Sequence, residues 1–364
     1  MLFLYIIIGL VLFIYLFTKQ KKFGKIPSAK RLARIKQSPH FKNGSFQNLR
    51  ITPQFADGVN FFTILKDFIF NREKKVKPAQ SIPSIKTNLL QLDPTENILI
   101  WFGHSSYFIQ VDGFKILVDP VFSGSASPLP GGTKAFNGSN NYQVTDFPDI
   151  DLLIITHDHW DHLDYKTIIE FKSKVKQILT GLGTAEHLEY WGFDTNKINE
   201  LDWYENCTPY SELEIHTTPA RHFSGRGFKA NKALWMSFVI KTNSHKLFIG
   251  GDSGYDQHFA EIGKEHGPFD LAILENGQYD PKWPYIHMLP EDFIQAAIDI
   301  KADVILPVHS SKFALSNHPW HEPLERVSRL NEKTKLKIIT PLIGEKVHLK
   351  KQDQIFTTWW RNLE

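Results

Sequence analysis

One stretch of nine residues limits the possible folds of this chain more than any other: THDHWDHLD, residues 156–164, directly behind the apolar run DLLII. The apolar run predicts a buried β-strand, and polar residues that follow such a strand lie at the sheet edge, where binding sites are usually built. Alternation along the strand directs His157 and His159 to the same side. The turn that follows lets Asp161 and His162 fold back towards them. Four side chains that can bind a metal, within six positions, therefore predict a metal site.

Similar apolar runs recur along the rest of the chain and indicate the fold class. The stretch SYFIQVDGFKILVDPVF predicts two strands joined by a turn at Asp112 and Gly113. Helical segments at 165–174 and 291–300 fall between other runs. Two series of strands with helices between them predict an α/β fold, an αββα sandwich of two mixed β-sheets flanked by helices. We assign it to one catalytic domain, residues 91–364.

The N-terminus predicts a different kind of segment. The first 18 residues carry no charged side chain, and the basic stretch KQKKFGK follows. As a helix this run is roughly 27 Å long, enough for the hydrocarbon core of a bilayer. Because the basic residues follow the apolar run, we predict an uncleaved transmembrane helix over residues 1–18, with the catalytic domain in the cytoplasm. Residues 19–90 form a basic juxtamembrane and N-terminal extension. Its amphipathic stretch 60–70 predicts a helix that lies on the membrane or packs on the domain.

Composition argues against several other classes of protein. The chain has 42 basic and 39 acidic residues and a net charge of +3, too little to indicate a nucleic-acid partner. Its one cysteine, Cys207, rules out a disulfide within the chain and argues against a thiolate metal cluster. Aromatic residues make up 13% of the chain, which is compatible with contacts to apolar ligands or lipid but is more often the mark of a Phe-rich core.

The motif H-x-H-x-D-H resembles that of the metallo-β-lactamase superfamily. The resemblance extends to TPARHFSGR, FIGGDSGY and LPVHSSKF, which contain His222, Asp252 and His309. It implies two zinc ions, with iron or manganese as alternatives, and all the implied ligands are nitrogen or oxygen donors that zinc accepts. One ion would be bound by His157, His159 and His222, the other by Asp161, His162 and His309, with Asp252 between them.

Within the superfamily the chain is more similar to the N-acyl-phosphatidylethanolamine-hydrolysing phospholipase D branch. The similarity lies in WFGHSS, VDPVFSGSASP, ARHFSGR, GDSGY and YDPKWPYIHMLPEDF. It implies that His287 faces the site and contacts substrate or supplies a proton, although a surface histidine beside a helix is an alternative. Tyr279 and Gln278 are further candidates for substrate binding. The chain departs from the branch at LENGQYD, where Glu275 and its neighbours add polarity beside the expected pocket.

These residues lead to several candidate functions. Two zinc ions can share a hydroxide near neutral pH, and Asp161 would bind one ion and orient that hydroxide. The first candidate is a membrane-anchored di-zinc phosphodiesterase of the phospholipase D type that takes phospholipid, such as N-acyl-phosphatidylethanolamine, from the bilayer. The second is a hydrolase of a small soluble ester, lactone or thioester, which the polar LENGQ segment favours. A non-catalytic, membrane-tethered binding protein is a third, and a nuclease lacks the basic stripe it would need.

Two further expectations concern residues around the motif. Asp158 and Asp164 are expected to support the ligands or cap the following turn. His104, in GHSS, is expected to hold its loop by hydrogen bonds.

Overall fold

The computed structural model describes residues 1–351 and 353–363 of the 364-residue chain. The strands are β1 Phe41–Lys42, β2 Ser45–Phe46, β3 Ile98–Trp101, β4 Tyr107–Val111, β5 Phe114–Val118, β6 Ile150–Ile155, β7 Val175–Gly181, β8 Ile198–Leu201, β9 Asn206–Tyr210, β10 Leu213–Thr218, β11 Ser237–Lys241, β12 Lys246–Ile249, β13 Leu271–Glu275, β14 Ile305–Val308 and β15 Lys346–His348. The α-helices are α1 Leu2–Thr18, α2 Ala29–Ile35, α3 Phe61–Phe70, α4 Tyr165–Phe171, α5 Ala185–Tyr190, α6 His258–Glu265, α7 Pro290–Asp299 and α8 Glu322–Thr334.

Two mixed sheets form the centre of the domain. The first has the strand order β15-β3-β4-β5-β6-β7-β8, antiparallel up to β5 and parallel from β5 to β8. The second has the order β14-β13-β12-β11-β10-β9, with parallel pairing only among β12, β13 and β14. Side chains of alternate residues meet between the sheets, among them Ile109, Ile154, Phe238 and Ile273. The residues between them are buried on the outer faces of the sheets, so both faces are covered and the strands read as continuous apolar runs.

Helices cover the outer face of each sheet. Ile168 and Phe171 of α4 pack on the first sheet beside Leu153. Phe259 of α6 and Phe293 of α7 pack on the second sheet in the same way. The predicted αββα sandwich is therefore confirmed.

The predicted hairpin is also present. Strands β4 and β5 pair antiparallel through the turn at Asp112 and Gly113. Both residues have positive φ angles, 48° and 81°. A two-residue turn of this kind matches the twist of the strands, and glycine at its second position adopts a positive φ angle without steric strain.

The predicted transmembrane helix is wrong. The apolar run does form a helix, and α1 has no buried residue, but it contains 17 residues. At 1.5 Å per residue it is about 25 Å long, shorter than a typical hydrocarbon core of about 30 Å. Across residues 1–351 and 353–363, none of the helices has both the length and the apolar character needed to span a bilayer. The orientation inferred from that anchor, with the catalytic domain on the cytoplasmic side, is withdrawn with it.

The N-terminal extension packs on the sandwich over much of its length. Ile35, Phe46 and Ile82 are buried in the same apolar cluster that fills the space between the sheets. The Phe46 N–H donates to the Asn231 carbonyl oxygen at 2.9 Å. The proposed boundary at residue 91 stays a prediction, and the core draws on residues from both sides of it.

Helix α3 confirms the helix predicted at 60–70 and packs with one face only. The Asn60 side chain caps it by accepting a hydrogen bond from the Thr63 N–H. Asp67 forms an ion pair with Lys282 at 3.1 Å. The opposite face exposes five apolar side chains, those of Phe61, Phe62, Leu65, Ile69 and Phe70.

Candidate metal centre

The strand ends of both sheets deliver the predicted ligands to one place. His157 and His159 follow β6 of the first sheet. From the second sheet, Asp252 follows β12 and His309 directly follows β14. His222 comes from the loop after β10. The seven side chains predicted as ligands all lie in the resulting groups of closely spaced metal-binding atoms.

The first group consists of His157, His159 and His222. The His159 Nδ1 atom is 2.9 Å from His157 Nε2 and 3.2 Å from His222 Nε2. In a tetrahedral zinc site with zinc–nitrogen bonds of 2.0–2.1 Å, ligand nitrogens are roughly 3.3 Å apart. The spacing of these three nitrogens therefore suits one metal ion.

The surroundings of this group keep its imidazole rings neutral. The outer nitrogen of His222, Nδ1, lies 2.8 Å from the Ile286 carbonyl oxygen, which turns Nε2 towards the centre. Burial lowers the pKa of His157 and of His222 well below the ordinary value. It lowers the pKa of His159 to about 4. Neutral imidazoles can bind a metal without first losing a proton.

The second group contains Asp161, His162 and His309, and the structure adds His104 to them. The His104 Nε2 atom is 2.8 Å from Asp161 Oδ2, and His162 Nε2 is 3.5 Å from the same oxygen. Burial alone would raise the pKa of Asp161, but His162 and His104 hold it well below its usual range. A carboxylate that stays ionised suits a metal site.

His104 has a larger part in this arrangement than the sequence indicated. We expected it to hold its loop, and the loop does bond to the turn at His309 through the His104 N–H and carbonyl. Its ring, however, is fully buried and lies 4.2 Å from the ring of His309, measured between centroids. In the sequence, the feature that could have indicated this role of His104 was its position in the polar turn after β3, at the same sheet edge as His157.

Asp252 lies between the two groups. Its Oδ2 atom is 3.8 Å from His222 Nε2 on one side and 3.1 Å from His162 Nε2 on the other. Its Oδ1 atom is 3.2 Å from His309 Nδ1. Burial raises its pKa to about 6. One carboxylate that reaches both groups is what two neighbouring metal ions require of a shared ligand.

Several buried polar atoms at the centre lack a hydrogen bond. Within the described part of the chain, His104 Nδ1, His162 Nε2 and Asp252 Oδ1 have no such partner. Most buried polar atoms are paired, so unpaired ones indicate an ion or water. Together with the all-nitrogen-and-oxygen donor set, they fit a resident metal such as zinc.

Asp119 supports the second group and was missed by the sequence analysis. Its Oδ2 atom is 2.8 Å from His162 Nδ1, so the other nitrogen of that ring faces the centre. Its two oxygens also accept hydrogen bonds from the backbone N–H and the hydroxyl of Thr156, at 2.9 Å and 2.6 Å. The signal in the sequence was an aspartate directly behind the apolar strand β5.

The loop that carries the motif is held by its own polar residues. Asp164 caps α4 by accepting from the Lys166 N–H, which confirms the predicted cap. Asp158 accepts a hydrogen bond from the Gly225 N–H at 2.7 Å and lies 3.2 Å from His187 Nε2. Arg226, whose role the sequence did not reveal, donates to the carbonyl oxygens of Asp158 and Leu163.

His287 lies beside both groups. Its ring centroid is 5.0 Å from that of His222 and 5.1 Å from that of His309. Its Nδ1 atom is 2.6 Å from Glu275 Oε2. The placement at the centre therefore agrees with the residue's predicted position, while contact with substrate stays a prediction.

The other polar residues of LENGQYD have partners in the protein. Asn276 donates to the Pro323 carbonyl oxygen. The Gln278 amide donates to the carbonyls of His309 and Phe313 and accepts from two backbone N–H groups. The Tyr279 hydroxyl donates to Glu322 at 3.0 Å. Substrate binding by Gln278 or Tyr279 stays a prediction, and the polar groups of both already have partners within the protein.

The N-terminal extension forms part of the wall of this centre. Asn48 accepts a hydrogen bond from the His222 N–H at 3.1 Å and donates to the His222 carbonyl oxygen at 2.8 Å. Arg221, the preceding residue, donates to the Thr52 hydroxyl at 3.0 Å. No local pattern marked Asn48, because its partner is 174 positions away.

Comparison with known proteins gives concordant results. A family model described as a beta-lactamase superfamily domain matches residues 115–310. An uncharacterised protein of Mycobacterium tuberculosis is 35% identical over 329 residues, 89% of this chain and 88% of that protein. The N-acyl-phosphatidylethanolamine-hydrolyzing phospholipase D 1 of Caenorhabditis elegans is 27% identical over 293 residues, 72% of this chain and 81% of that protein.

A solved structure has the same fold. Igni18, a metallo hydrolase from the archaeon Ignicoccus hospitalis, matches with a TM-score of 0.55 and 21% identity. The match covers 71% of this chain and all of that one. The fold agrees over the region that carries the candidate metal centre.

Proposed function

Since this chain belongs to the metallo-β-lactamase superfamily, we propose that it is a di-zinc phosphodiesterase of the phospholipase D type. Its substrate would be a phospholipid such as N-acyl-phosphatidylethanolamine. The observation that carries the proposal is the position of Asp252, within 4 Å of histidine nitrogens from both groups. That arrangement supports two ions rather than one.

The residues divide between the two ions as follows. His157, His159 and His222 would bind the first, and Asp161, His162 and His309 the second, with Asp252 shared. Iron or manganese also accept these donors. When bound, such a pair of ions supplies a hydroxide nucleophile and neutralises charge on a phosphate oxygen.

Two side chains of the protein, Asp161 and His287, act on the nucleophile and on the substrate. Asp161, held ionised by His162 and His104, accepts a hydrogen bond and so orients the nucleophile for in-line attack on phosphorus. His287, beside both groups, contacts a substrate oxygen. The buried wall of the centre strengthens both interactions by excluding water.

Two observations favour a phospholipid over a small soluble ester. The relative from Caenorhabditis elegans, which covers 72% of this chain, is named for a phospholipase D activity. The polar LENGQ segment was the reason to expect a soluble substrate. Gln278 bonds to backbone groups through both ends of its amide, and the Asn276 Nδ2 atom bonds to the Pro323 carbonyl oxygen, so much of this polarity is used within the protein.

We further propose that the surface of a lipid bilayer is a partner of helix α3. The exposed Phe61, Phe62 and Phe70 suit the acyl region of a lipid surface, while the cations Lys66 and Arg72 suit its anionic headgroups. The helix is tied through Asp67 to Lys282, on the chain segment that leads to His287. Helix α3 is therefore linked to the chain segment that carries His287.

Mass spectrometry of lipid products tests the activity. The full chain is incubated with a total membrane lipid extract, with zinc and with a chelator, beside Asp161→Ala. Asp303→Ala, at an exposed position away from the centre, is the matched control. We expect zinc-dependent release of phosphatidic acid by the wild type and the control only. An unchanged lipid profile from the zinc-loaded wild type would overturn the proposal.

A comparison of two substrates tests the role of α3. A variant with Phe61→Ser, Phe62→Ser and Phe70→Ser should hydrolyse phospholipid vesicles at least tenfold more slowly than the wild type. Its rate on the soluble diester bis(p-nitrophenyl) phosphate should be unchanged. Ile355→Ser, at another exposed apolar residue, is the control. Equal losses on both substrates would contradict docking through α3.

A further inference from the structure

The buried carboxyl group of Glu275 pairs with His287, and the proposed reaction assigns it no role. Glu275 is the last residue of β13, and only 1% of its side chain is exposed. Its Oε2 atom is 2.6 Å from His287 Nδ1, and its Oε1 atom accepts a hydrogen bond from the Met288 N–H. Both oxygens are thus directed at neighbouring residues in one segment, 287–288.

This carboxyl group has an unusual environment for an acidic residue. Among the described residues its only ion-pair partner is His287, and no lysine or arginine is paired with it. A buried carboxylate is costly unless it is hydrogen-bonded. Its burial therefore has to be offset by the two contacts it makes, and one of them is with the imidazole at the metal centre.

The contact fixes which edge of the imidazole faces the centre. With Nδ1 bonded to Glu275, the other nitrogen, Nε2, is the free polar atom of the ring, and no protein partner is found for it within the described residues. The side chain of His287 is 11% exposed, against 1% for Glu275. The ring also lies nearly parallel to that of His309, at 20°. The accessible edge is therefore the one opposite Glu275.

We propose that Glu275 is a positioning residue, which holds His287 so that Nε2 faces the substrate oxygen at the metal centre. Its place on a central strand between β12 and β14 gives the contact a rigid support. A histidine whose outer nitrogen bonds a carboxylate keeps a fixed orientation and tautomer. The catalytic part of this inference rests on the proposed function, while the geometric part does not.

A competing role for Glu275 is metal binding. One of its oxygens lies within 4.8 Å of ligand atoms of Asp252, His287 and His309. Both oxygens of Glu275 already have hydrogen-bond partners in the segment 287–288, which favours the positioning role. Zinc content separates the two roles, because loss of a positioning residue leaves the metal in place.

The test uses Glu275→Gln, which keeps the shape of the side chain and its bond to the Met288 N–H but removes the carboxylate. Glu332→Gln, at an exposed glutamate of α8, is the matched control. With bis(p-nitrophenyl) phosphate we expect kcat to fall about 10- to 100-fold in Glu275→Gln, with unchanged zinc content. In a His287→Gln background the same change should cost less than twofold. If the activity losses of Glu275→Gln and His287→Gln multiply in the double variant, or if Glu275→Gln loses zinc, the proposal is wrong.

Nitrogen-15 NMR of the histidine-labelled chain gives a readout that needs no activity. We expect a strongly downfield imidazole proton that is present in the wild type and in Glu332→Gln and absent from both Glu275→Gln and His287→Gln. The His162 proton bonded to Asp119 should give a separate signal that stays in all four chains. If the wild type is inactive but this signal behaves as expected, the proposed function fails and the positioning role stands. If the signal is absent from the wild type or survives in Glu275→Gln, the positioning role is wrong.

Discussion

Asp119 acts on the metal centre through a histidine. Its carboxylate holds His162 Nδ1 at 2.8 Å and is itself held by two groups of Thr156. It thereby fixes which nitrogen His162 offers to a metal. Carboxylates in this position usually affect metal affinity without touching the metal.

We expect Asp119→Asn to weaken zinc binding about 10- to 100-fold while the chain stays folded. The amide can still accept from Thr156, but it no longer offers a carboxylate to the His162 ring. Competition with a fluorescent zinc chelator measures the affinity, and circular dichroism checks the fold. Asp303→Asn is the control. Equal zinc affinity in Asp119→Asn and wild type would show that His162 does not need this partner.

Lys312 is the buried cation nearest to the turn at His309. It is fully buried, and its ammonium group donates to the carbonyl oxygens of Phe102 and Val121 at 3.1 Å and 2.9 Å. Burial lowers its pKa to about 7. The folded chain therefore releases this proton near pH 7, whereas an unfolded lysine keeps it to about pH 10.5.

A pH dependence of stability follows. Between about pH 7 and pH 10 the unfolded state binds one more proton at this site, so the free energy of unfolding rises with pH. The slope is at most about 1.4 kcal/mol per pH unit. Urea unfolding at pH 7, 8 and 9 should show this added slope in the wild type and in Lys264→Met, and not in Lys312→Met. Parallel slopes in all three chains would refute it.

At the scale of elements, one arginine side chain of α2 bonds to several acidic residues of the domain. Arg31 donates to Glu200 at 2.9 Å and Glu186 at 2.7 Å, and also contacts Glu189. Glu200 is 8% exposed and accepts hydrogen bonds from the backbone of residues 183 and 185. The arginine therefore neutralises acidic groups that would otherwise repel one another.

Arg31→Met should lower the free energy of unfolding by about 3–5 kcal/mol, because it leaves a buried carboxylate without its partner. Lys30→Met is the matched control, since Lys30 is an exposed cation on the same helix. We expect less than about 1 kcal/mol there. Chemical denaturation of both variants measures the difference, and similar losses would mean that α2 is held by apolar contacts instead.

The elements that the sequence predicted well are those with local signals. Apolar runs predicted the strands, and polar residues behind β6 predicted the first four candidate ligands. The turn at Asp112 and Gly113 and the cap at Asp164 also depend on neighbouring residues. Helix α1 was predicted to span a membrane because the apolar character of the run is a local property, whereas spanning also depends on where the helix ends.

The unpredicted features depend on contacts between distant residues. Asn48 and Arg31 contact partners more than 150 positions away. The sequence indicated only that Glu275 adds polarity to the pocket. Its pairing with His287 forms because the loop between the two residues folds back, and no local pattern predicts that contact. Asp119 reaches His162 only because β5 and β6 are neighbours. Composition and periodicity carry none of this information.

At the scale of the whole molecule, the candidate metal centre lies between the two sheets. His157 to His162 come from the first sheet and His222, Asp252 and His309 from the second. A metal bound there would connect the two sheets in the folded state. Unfolding would separate these ligands and release it.

Zinc should therefore stabilise the whole molecule. At a free zinc concentration 100 times the dissociation constant, we expect about 2.7 kcal/mol of added stability. Differential scanning calorimetry should show a higher Tm with zinc and a return to the lower value with a chelator. Asp252→Ala should lose most of this shift, and Asp303→Ala none of it. A zinc-independent Tm would contradict binding between the sheets.

The contact between Asn48 and His222 also affects the order in which segments of the chain dock during synthesis. A ribosome delivers Asn48 long before His222, and Phe46 long before its partner Asn231. Until the second sheet is made, residues 41–48 lack these two partners, so a segment synthesised early is among the last to dock. A nascent chain halted before residue 213 would keep residues 41–48 open to proteases, and completion of the chain would close that segment.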